Sequence, residues 1–468
     1  MMKLIFIFFL FNSLTLADVS YNMQLIANLN EHTHLNGYSI GITGYTAPDG
    51  KEYAILCCNE GTAFIDISDT SDVHEIDFLP GISSDWRDVK IWSHYAYIVG
   101  YVQGCALQIA DLQYLPDSIH FVKTYSFPGF TAAHTLQQSG PYLYVNGLDY
   151  IKGGVFILDL SADPENPVKR GEWEVTTVHD CRIMNDTIWA CNGYAGTVTV
   201  ISAVDKNNLF TIASWQNGFY PVAHNCDRSR NRKYLYTTDE TFDMPRELKI
   251  WNIEDLQNVL FSGTWHPPGI DSAVAHNIEI YGDYALIAYY SAGIRIADIT
   301  DPANPVEAAY YDTYPNDNGT NWNGCKGVFL MPSGKIIAND KQTGLYVLKT
   351  TFPIIGIEPN YAAAVEFSLS QNYPNPFNPV TNIQFNIPLL RGVTAEGGRG
   401  VFVKLTVYDL LGRDITTLVN RQMQPGSYNV DWDASNYPSG VYFYKIEVRQ
   451  TGSSTGDFFE SKKMVLVK

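Results

Sequence analysis

The sequence predicts an all-β protein in which a seven-bladed β-propeller precedes a small C-terminal β-sandwich of the immunoglobulin-like type. Three observations lead to this prediction. A strand-like pattern recurs along residues 18–352, and further short strand-like segments follow within residues 368–468. The composition, with 31 Tyr and only 17% charged residues, favours sheet over a helical bundle.

The recurring pattern is a β-rich segment that ends in a polar residue. These polar ends are 45, 48, 43, 50, 46 and 51 residues apart, at Asp66, Asp111, Asp159, Ser202, Asn252, Asp298 and Lys349. A second strand-like segment precedes each one, usually with a glycine between them, as a hairpin requires. Seven units of about 40–50 residues indicate a propeller, because radially packed four-stranded sheets cover one another's faces.

The ends of the repeat region predict how the ring closes. The seventh unit runs out after Thr350 without an outer strand, whereas the spare segment Met23–Leu29 precedes the first unit. We expect this segment to complete the seventh blade and so to remove an exposed strand edge. Residues 353–367 then form a linker to the sandwich.

Residues 1–17 have the features of a secretory signal peptide. The basic residue Lys3 precedes an apolar run over residues 4–10, and a small-residue cleavage site ends at Ala17. The run is too short to span a membrane, and no later segment reaches about 18 uninterrupted apolar residues. We therefore expect no membrane span in the mature chain.

Charge and cysteine content narrow the possible partners and cross-links. The net charge of −18 argues against nucleic-acid binding, because contacts with phosphate need a basic surface. Among the seven cysteines, Cys181 and Cys191 flank a predicted turn. A three-residue loop would place them opposite each other and permit a disulfide, whereas a two-residue loop would leave them one position out of register.

Four short motifs occur in order within residues 368–468. Their defining residues are Tyr373, Pro374, Asn375, Pro376, Phe377, Gly412, Gly440 and Lys463. Together the motifs resemble the type A sorting domain of the bacterial type IX secretion system. The resemblance implies passage through the periplasm and across the outer membrane, with the secretion machinery as a partner, and then release or fixation at the cell surface.

The repeat region also resembles a known family. Residues 49–55, 61–68, 86–90 and 275–278 are similar to the LVIVD-repeat family, and more closely to the bacterial surface proteins called choice-of-anchor B. The resemblance implies a propeller attached to the cell surface. It implies no defined activity.

Histidines recur at the blade period. His134, His179, His224 and His276 follow one another at intervals of 45, 45 and 52 residues, each at the start of a unit. Asp88 in the second unit and Lys326 in the seventh occupy what the sequence suggests is the same position. Because the first strand of each blade lines the central channel, we expect these six side chains to form a ring around the axis.

This channel ring allows two interpretations. The imidazoles could bind a transition metal such as zinc, copper, nickel or iron, with Asp88 as a base or supporting group. Alternatively, each imidazole bonds to a backbone carbonyl of the next blade, and the repeat simply copies a structural residue. Strand alternation further predicts that the residues after three of the histidines, Asp180, Asn225 and Asn277, face away from the channel and bond between blades.

Aromatic residues precede several inner strands. Trp86 and Trp322 come just before the second and seventh of these strands, and Phe219 and Tyr220 take the equivalent place in the fifth unit. An aromatic rim of this kind could stack on a sugar or on the prolines of a peptide. The alternative is that these rings only cap the core.

Three functions are compatible with these observations. The first is a surface-associated module that binds an extracellular glycan, peptide or protein. The second is a metal-dependent hydrolase or lyase that uses the channel histidines, and the third is a purely structural surface protein. The sequence has no Walker loop, dinucleotide fingerprint, His-Glu-x-x-His or Gly-x-Ser-x-Gly motif.

Overall fold

The computed structural model describes residues 19–32, 39–147, 153–184, 186–218, 222–241, 247–317, 319–354, 368–372, 374–387, 401–423, 426–449 and 458–468. The chain divides into two compact units, with the boundary after Ile357. Every regular element in these described ranges is a β-strand, which confirms the all-β prediction. Among the same residues, no helix has the length and apolar character needed to cross a bilayer.

The described residues of the first unit form 29 strands. They are β1 (Ser20–Tyr21), β2 (Met23–Leu29), β3 (Ser39–Thr46), β4 (Glu52–Cys58), β5 (Gly61–Asp66), β6 (His74–Pro80), β7 (Arg87–Trp92), β8 (Tyr95–Gly100), β9 (Leu107–Asp111), β10 (His120–Tyr125), β11 (Thr135–Ser139), β12 (Tyr142–Asn146), β13 (Val155–Asp159), β14 (Val168–Trp173), β15 (Asp180–Ile183), β16 (Thr187–Cys191), β17 (Thr197–Ser202), β18 (Phe210–Gln216), β19 (Ala223–Arg228), β20 (Tyr234–Asp239), β21 (Leu248–Asn252), β22 (Leu260–Trp265), β23 (Ile278–Tyr281), β24 (Tyr284–Ala288), β25 (Ile294–Asp298), β26 (Val306–Tyr311), β27 (Cys325–Leu330), β28 (Lys335–Asp340) and β29 (Gly344–Thr350).

These strands form antiparallel sheets arranged around a common axis. Six of the sheets have four strands, and a seventh has five because the short β1 adds to β26. The first strands of the sheets contact one another in the order β3, β7, β11, β15, β19, β23 and β27, and β27 contacts β3 in turn. The unit is therefore a β-propeller whose inner strands surround a central channel.

Burial follows the position of each strand within its sheet. Every residue of the second-position strands β4 and β8 is buried, because neighbouring sheets cover both of their faces. The outer strands β10 and β14 are largely exposed. One of the interfaces between sheets combines Tyr97 and Val99 of β8 with Leu136 and Val145 of the next sheet.

The N-terminal strand β2 lies beside the last strand of the repeat region. It pairs antiparallel with β29, from Met23 opposite Thr350 to Leu29 opposite Leu345. Met23 is buried in the cluster that also contains Leu348. The sheet formed by β27, β28 and β29 thus takes its outer strand from the other end of the propeller sequence.

The second unit contains two sheets that share one apolar core. Its strands are β30 (Ser368–Leu369), β31 (Val380–Ile387), β32 (Val401–Tyr408), β33 (Asp414–Met423), β34 (Gly426–Asp433), β35 (Gly440–Arg449) and β36 (Phe458–Leu466). One sheet has the order β30-β31-β34 and the other the order β33-β32-β35-β36. Ile383 and Phe385 from the first sheet are buried with Leu405 and Ile446 from the second.

The first and last motifs of the second unit meet in space. Buried Phe377 accepts a backbone hydrogen bond from Val467 (3.0 Å) and donates one to Val465 (2.9 Å). The Asn375 side chain accepts from Val465 N (2.9 Å) and donates to the carbonyl of Lys463 (3.4 Å).

The remaining motif residues have separate positions. Gly412 has a φ of 77°, which a turn glycine adopts without strain, and Gly440 begins β35. The Pro374 carbonyl accepts a hydrogen bond from Thr381 Oγ1 (2.8 Å), and Pro376 lies in the segment between these two residues. Tyr373 lies outside the described residues, as do the signal peptide and most of the linker.

All seven cysteines are free and buried. In the hairpin of β15 and β16, Cys181 lies opposite Ala190 and Cys191 lies opposite Asp180. The two thiols are therefore one position out of register, and the Cys181–Cys191 disulfide is not formed.

Candidate functional site

The four histidines lie side by side at one end of the channel. His134 and His179 immediately precede β11 and β15, His224 lies within β19, and His276 comes two residues before β23. Successive ring centroids are 4.2, 4.5 and 4.1 Å apart. Four neighbouring inner strands thus bring their imidazoles into one continuous arc.

Two of the imidazoles bond to the next sheet through Nδ1. His224 donates to the carbonyl of His276 (3.1 Å), and His276 donates to the carbonyl of Lys326 (2.5 Å). A carbonyl only accepts, so both Nδ1 atoms carry the proton. In contrast, the buried Nδ1 atoms of His134 and His179 have no hydrogen-bond partner in the described part of the chain. The structural interpretation therefore accounts for two of the four rings.

A glutamate that the sequence analysis missed completes the cluster. Glu240 follows β20, and its backbone N–H donates to Val222 O (3.2 Å), which places it beside the start of β19. Its Oε2 is 3.5 Å from His224 Nε2 and its Oε1 is 3.8 Å from His276 Nε2. Tyr290, two residues after β24, donates its hydroxyl proton to Glu240 Oε1 (2.5 Å).

The environment keeps the histidines neutral at pH 7. Burial lowers the pKa of His179 and of His224 to about 3, with smaller contributions from the neighbouring His224 ring in the first case and from Lys326 in the second. Burial also lowers the pKa of Lys326 to about 8, although Glu240 opposes that change. The site therefore combines neutral imidazoles, a carboxylate and a buried amine.

A cavity of about 70 Å³ adjoins the histidine arc. Its walls include Trp86, Asp88, Lys90, His134, Asp180 and Lys326. This volume is sufficient for several water molecules or part of a small polar ligand. Most of the lining groups are hydrogen-bond donors or acceptors, so the cavity is polar.

The hydrogen bonds show that Asp88 does not occupy the histidine position of its inner strand. It occupies the next position along the strand. Its Oδ2 accepts from Leu136 N (2.8 Å), just as Asn225 Oδ1 accepts from Ile278 N (3.1 Å). In each case the donor is the second residue after a histidine in the next sheet, because Leu136 follows His134 and Ile278 follows His276 by two positions. Asp88 therefore corresponds to Asn225 and not to His224, and its carboxylate pairs with Lys90 Nζ (2.9 Å).

The prediction that Asp180, Asn225 and Asn277 face away from the channel is wrong, because all three line the cavity. Strand alternation does not extend back to the histidines. β15 begins only at Asp180, β23 begins after Asn277, and the register of β19 shifts between Ala223 and Cys226. The predicted bonding between sheets does occur, since Asn225 Nδ2 donates to Asp180 Oδ2 (2.6 Å).

Two of the predicted rim aromatics are exposed. Trp86 is 44% exposed and Trp322 is 41% exposed. The Trp86 ring centroid lies 6.2 Å from both Tyr101 and His134, so this indole borders the cavity. Phe219 and Tyr220 lie outside the described residues.

Comparisons with known families agree with both parts of the architecture. Residues 371–458 match the family described as the secretion system C-terminal sorting domain, and residues 273–313 match the LVIVD repeat. The chain carries a sorting domain and an LVIVD repeat. The sorting domain indicates export through the type IX system to the cell surface or the extracellular space, and therefore interaction with that secretion machinery.

Solved structures of low sequence identity are also similar to this chain. YCF48 bound to D1 peptide is 8% identical, with 71% of this chain and 98% of that one covered and a TM-score of 0.49. The periplasmic gluconolactonase PpgL of Pseudomonas aeruginosa is 13% identical, with coverages of 58% and 85% and a TM-score of 0.45. The computationally designed Ika8 protein is 9% identical, with coverages of 69% and 99% and a TM-score of 0.46. No curated protein sequence matches.

The sorting domain leads to a direct prediction about export. In a bacterium with a type IX system, we expect a chain that ends at residue 352 to accumulate in the periplasm, because it lacks the signal read at the outer membrane. Cell fractionation and surface immunolabelling measure this. A periplasmic reporter fused to residues 353–468 is the control and should reach the surface. Surface exposure of the truncated chain would contradict the prediction.

Proposed function

We propose that the mature chain is a seven-bladed β-propeller that binds carbohydrate at the cell surface. Seven sheets with mutually contacting inner strands support the blade count, and the match to the LVIVD repeat supports assignment to the choice-of-anchor B proteins. The proposed domains are a signal peptide at 1–17, the propeller at 18–352, a linker at 353–367 and the sorting domain at 368–468. The two sheets around one core support an immunoglobulin-like sandwich for the last of these.

One observation carries the binding proposal, namely the half-exposed indole of Trp86 at the edge of a polar cavity. Its position is maintained locally, because Ser84 Oγ donates to the Trp86 carbonyl (2.7 Å) and the ring packs edge-on against Tyr101. An ordered aromatic face offers a sugar ring an apolar stacking surface at little entropic cost. The neighbouring cavity wall offers the hydrogen bonds that the hydroxyl groups of the sugar require.

The polar groups of the cavity suit a neutral ligand with many hydroxyl groups. Asp88 and Asp180 are acceptors, Lys90 is a donor, and Gln137 and Asn277 can be both. Such a mixture satisfies a hydroxyl group in either role. Acidic and basic groups both contribute, so the cavity does not select a strongly charged ligand of either sign.

A glycan array tests this proposal. We expect the purified mature chain to bind a restricted set of glycans, and Trp86→Ala to reduce that binding about 5- to 30-fold, since a stacked sugar loses about 1–2 kcal/mol without its aromatic platform. Tyr114→Ala is the matched control, because Tyr114 is also exposed (51%) but lies in the loop between β9 and β10. Failure of the parent chain to bind any glycan, or equal binding by Trp86→Ala, would exclude the proposal.

A further inference from the structure

We infer that His179, His224 and Glu240 bind a divalent transition-metal ion at the end of the propeller channel. One potential ligand atom from each of these residues lies within 4.8 Å of the other two. Metal–ligand bonds of about 2.1 Å in a tetrahedral site separate the ligand atoms by about 3.4 Å. The 3.5 Å between His224 Nε2 and Glu240 Oε2 is close to this value.

The hydrogen bonds around the site leave imidazole nitrogens directed at the Glu240 carboxylate. His224 and His276 both donate Nδ1–H to backbone carbonyls, so the Nε2 atom of each neutral ring has a lone pair. Both Nε2 atoms face the Glu240 carboxylate, at 3.5 and 3.8 Å. An imidazole Nε2 atom and a carboxylate oxygen at this separation are suitable ligand atoms for one metal ion.

The surrounding hydrogen bonds orient the ligands as metal sites require. A metal-binding imidazole commonly donates its second nitrogen to a carbonyl, which fixes the tautomer and the ring plane. His224 has this arrangement through the carbonyl of His276. Tyr290 donates a hydrogen bond to Glu240 Oε1, and the other carboxylate oxygen, Oε2, faces His224. Two imidazoles and one carboxylate leave further coordination positions open, a ligand set that suits zinc or ferrous iron.

Lys326 opposes the binding of a cation and thereby provides a specific test. Its buried side chain lines the same cavity as His224 and His276. An ammonium group there repels a divalent ion, and the effective dielectric constant is lower than in water. Lys326→Met keeps most of the side-chain volume and removes the charge. We expect this variant to bind the metal about 10-fold more tightly than the parent chain does.

Metal titration of the mature chain, after chelator treatment, tests the inference. We expect Zn²⁺ to bind at one ion per chain in calorimetry, and Co²⁺ to give the visible absorption of a low-symmetry site. Loss of a hydrogen-bond partner of a metal ligand typically weakens metal binding by roughly 10–100-fold. His224→Ala and Glu240→Gln each remove a ligand itself, so we expect them to weaken Zn²⁺ binding by more than this. Circular dichroism and thermal melting verify that each variant is folded.

A second acidic and histidine-containing group provides the matched control. Glu31, His32 and Glu75 also place potential ligands within 4.8 Å of one another. His32→Ala should leave the stoichiometry and affinity for Zn²⁺ unchanged. The inference is overturned if the parent chain binds no metal, or if His32→Ala loses Zn²⁺ binding. It is also overturned if Glu240→Gln and His224→Ala bind Zn²⁺ as the parent chain does. Because the readout is the metal alone, these outcomes are independent of glycan binding.

Discussion

Deletion of residues 19–29 is expected to abolish the cooperative thermal unfolding of the propeller. This change removes β2, which pairs with β29 at six positions, together with the two-residue β1, and leaves the backbone edge of β29 open. Backbone hydrogen bonds contribute about 1 kcal/mol each, and the buried side chain of Met23 about 2–5 kcal/mol more. The sum approaches the roughly 5–15 kcal/mol by which an entire domain is stable.

Thermal melting followed by circular dichroism, on a chain that begins at residue 30, measures this effect. A synthetic peptide of residues 19–32, added in excess, should restore a cooperative transition, because it supplies the missing strand in trans. A peptide of the same composition in scrambled order is the control and should restore nothing. A truncated chain that melts like the parent would show that β2 contributes little to closure of the ring.

Arg182→Met is expected to destabilise the propeller by about 3–5 kcal/mol, which is typical when one partner of a buried ion pair is removed. The guanidinium forms two bonds to Glu279, at 2.9 and 3.0 Å, lies 3.7 Å from Asp227, and donates to the carbonyl of Ile278 (2.8 Å). It therefore joins three neighbouring inner strands, β15, β19 and β23. Methionine fills most of the space but leaves the two partly buried carboxylates of Asp227 and Glu279 without their cation.

Chemical denaturation of the variant measures this loss. Lys233→Met is the matched control, since its ion pair with Glu254 is half exposed on both sides, and we expect no measurable change in the denaturation midpoint. Adding Asp227→Asn and Glu279→Gln to Arg182→Met should recover part of the stability, because no unpaired charge then remains. If Arg182→Met matches the control, the buried ion pair is not a stabilising feature of this ring.

Periodic features of the sequence were sufficient to predict the all-β class, and the local sorting motifs were sufficient to predict the exported location. A repeat places equivalent residues at equal intervals, so the spacing of His134, His179 and His224 indicated neighbouring rings before any coordinates were considered. The sorting motifs are similarly local in sequence. Both kinds of signal can be read without knowledge of how distant segments pack.

Other parts of the site depend on geometry that has no periodic signature. Glu240 and Tyr290 lie at the ends of second-position strands, where each sheet has a different loop, so no spacing relates them to the histidines. Asp88 was assigned to the wrong register position because the residues before the inner strands do not alternate regularly. A shift of one residue there changes which side chains face the cavity.

The pairing of β2 with β29 also affects biogenesis of the protein. Strand β2 pairs with a strand more than 300 residues later, so its sheet stays incomplete until nearly all of the repeat region is available to fold. Throughout that interval the hydrophobic strands of the intermediate are vulnerable to aggregation. Shielding of apolar segments during that interval should therefore raise the yield of folded protein.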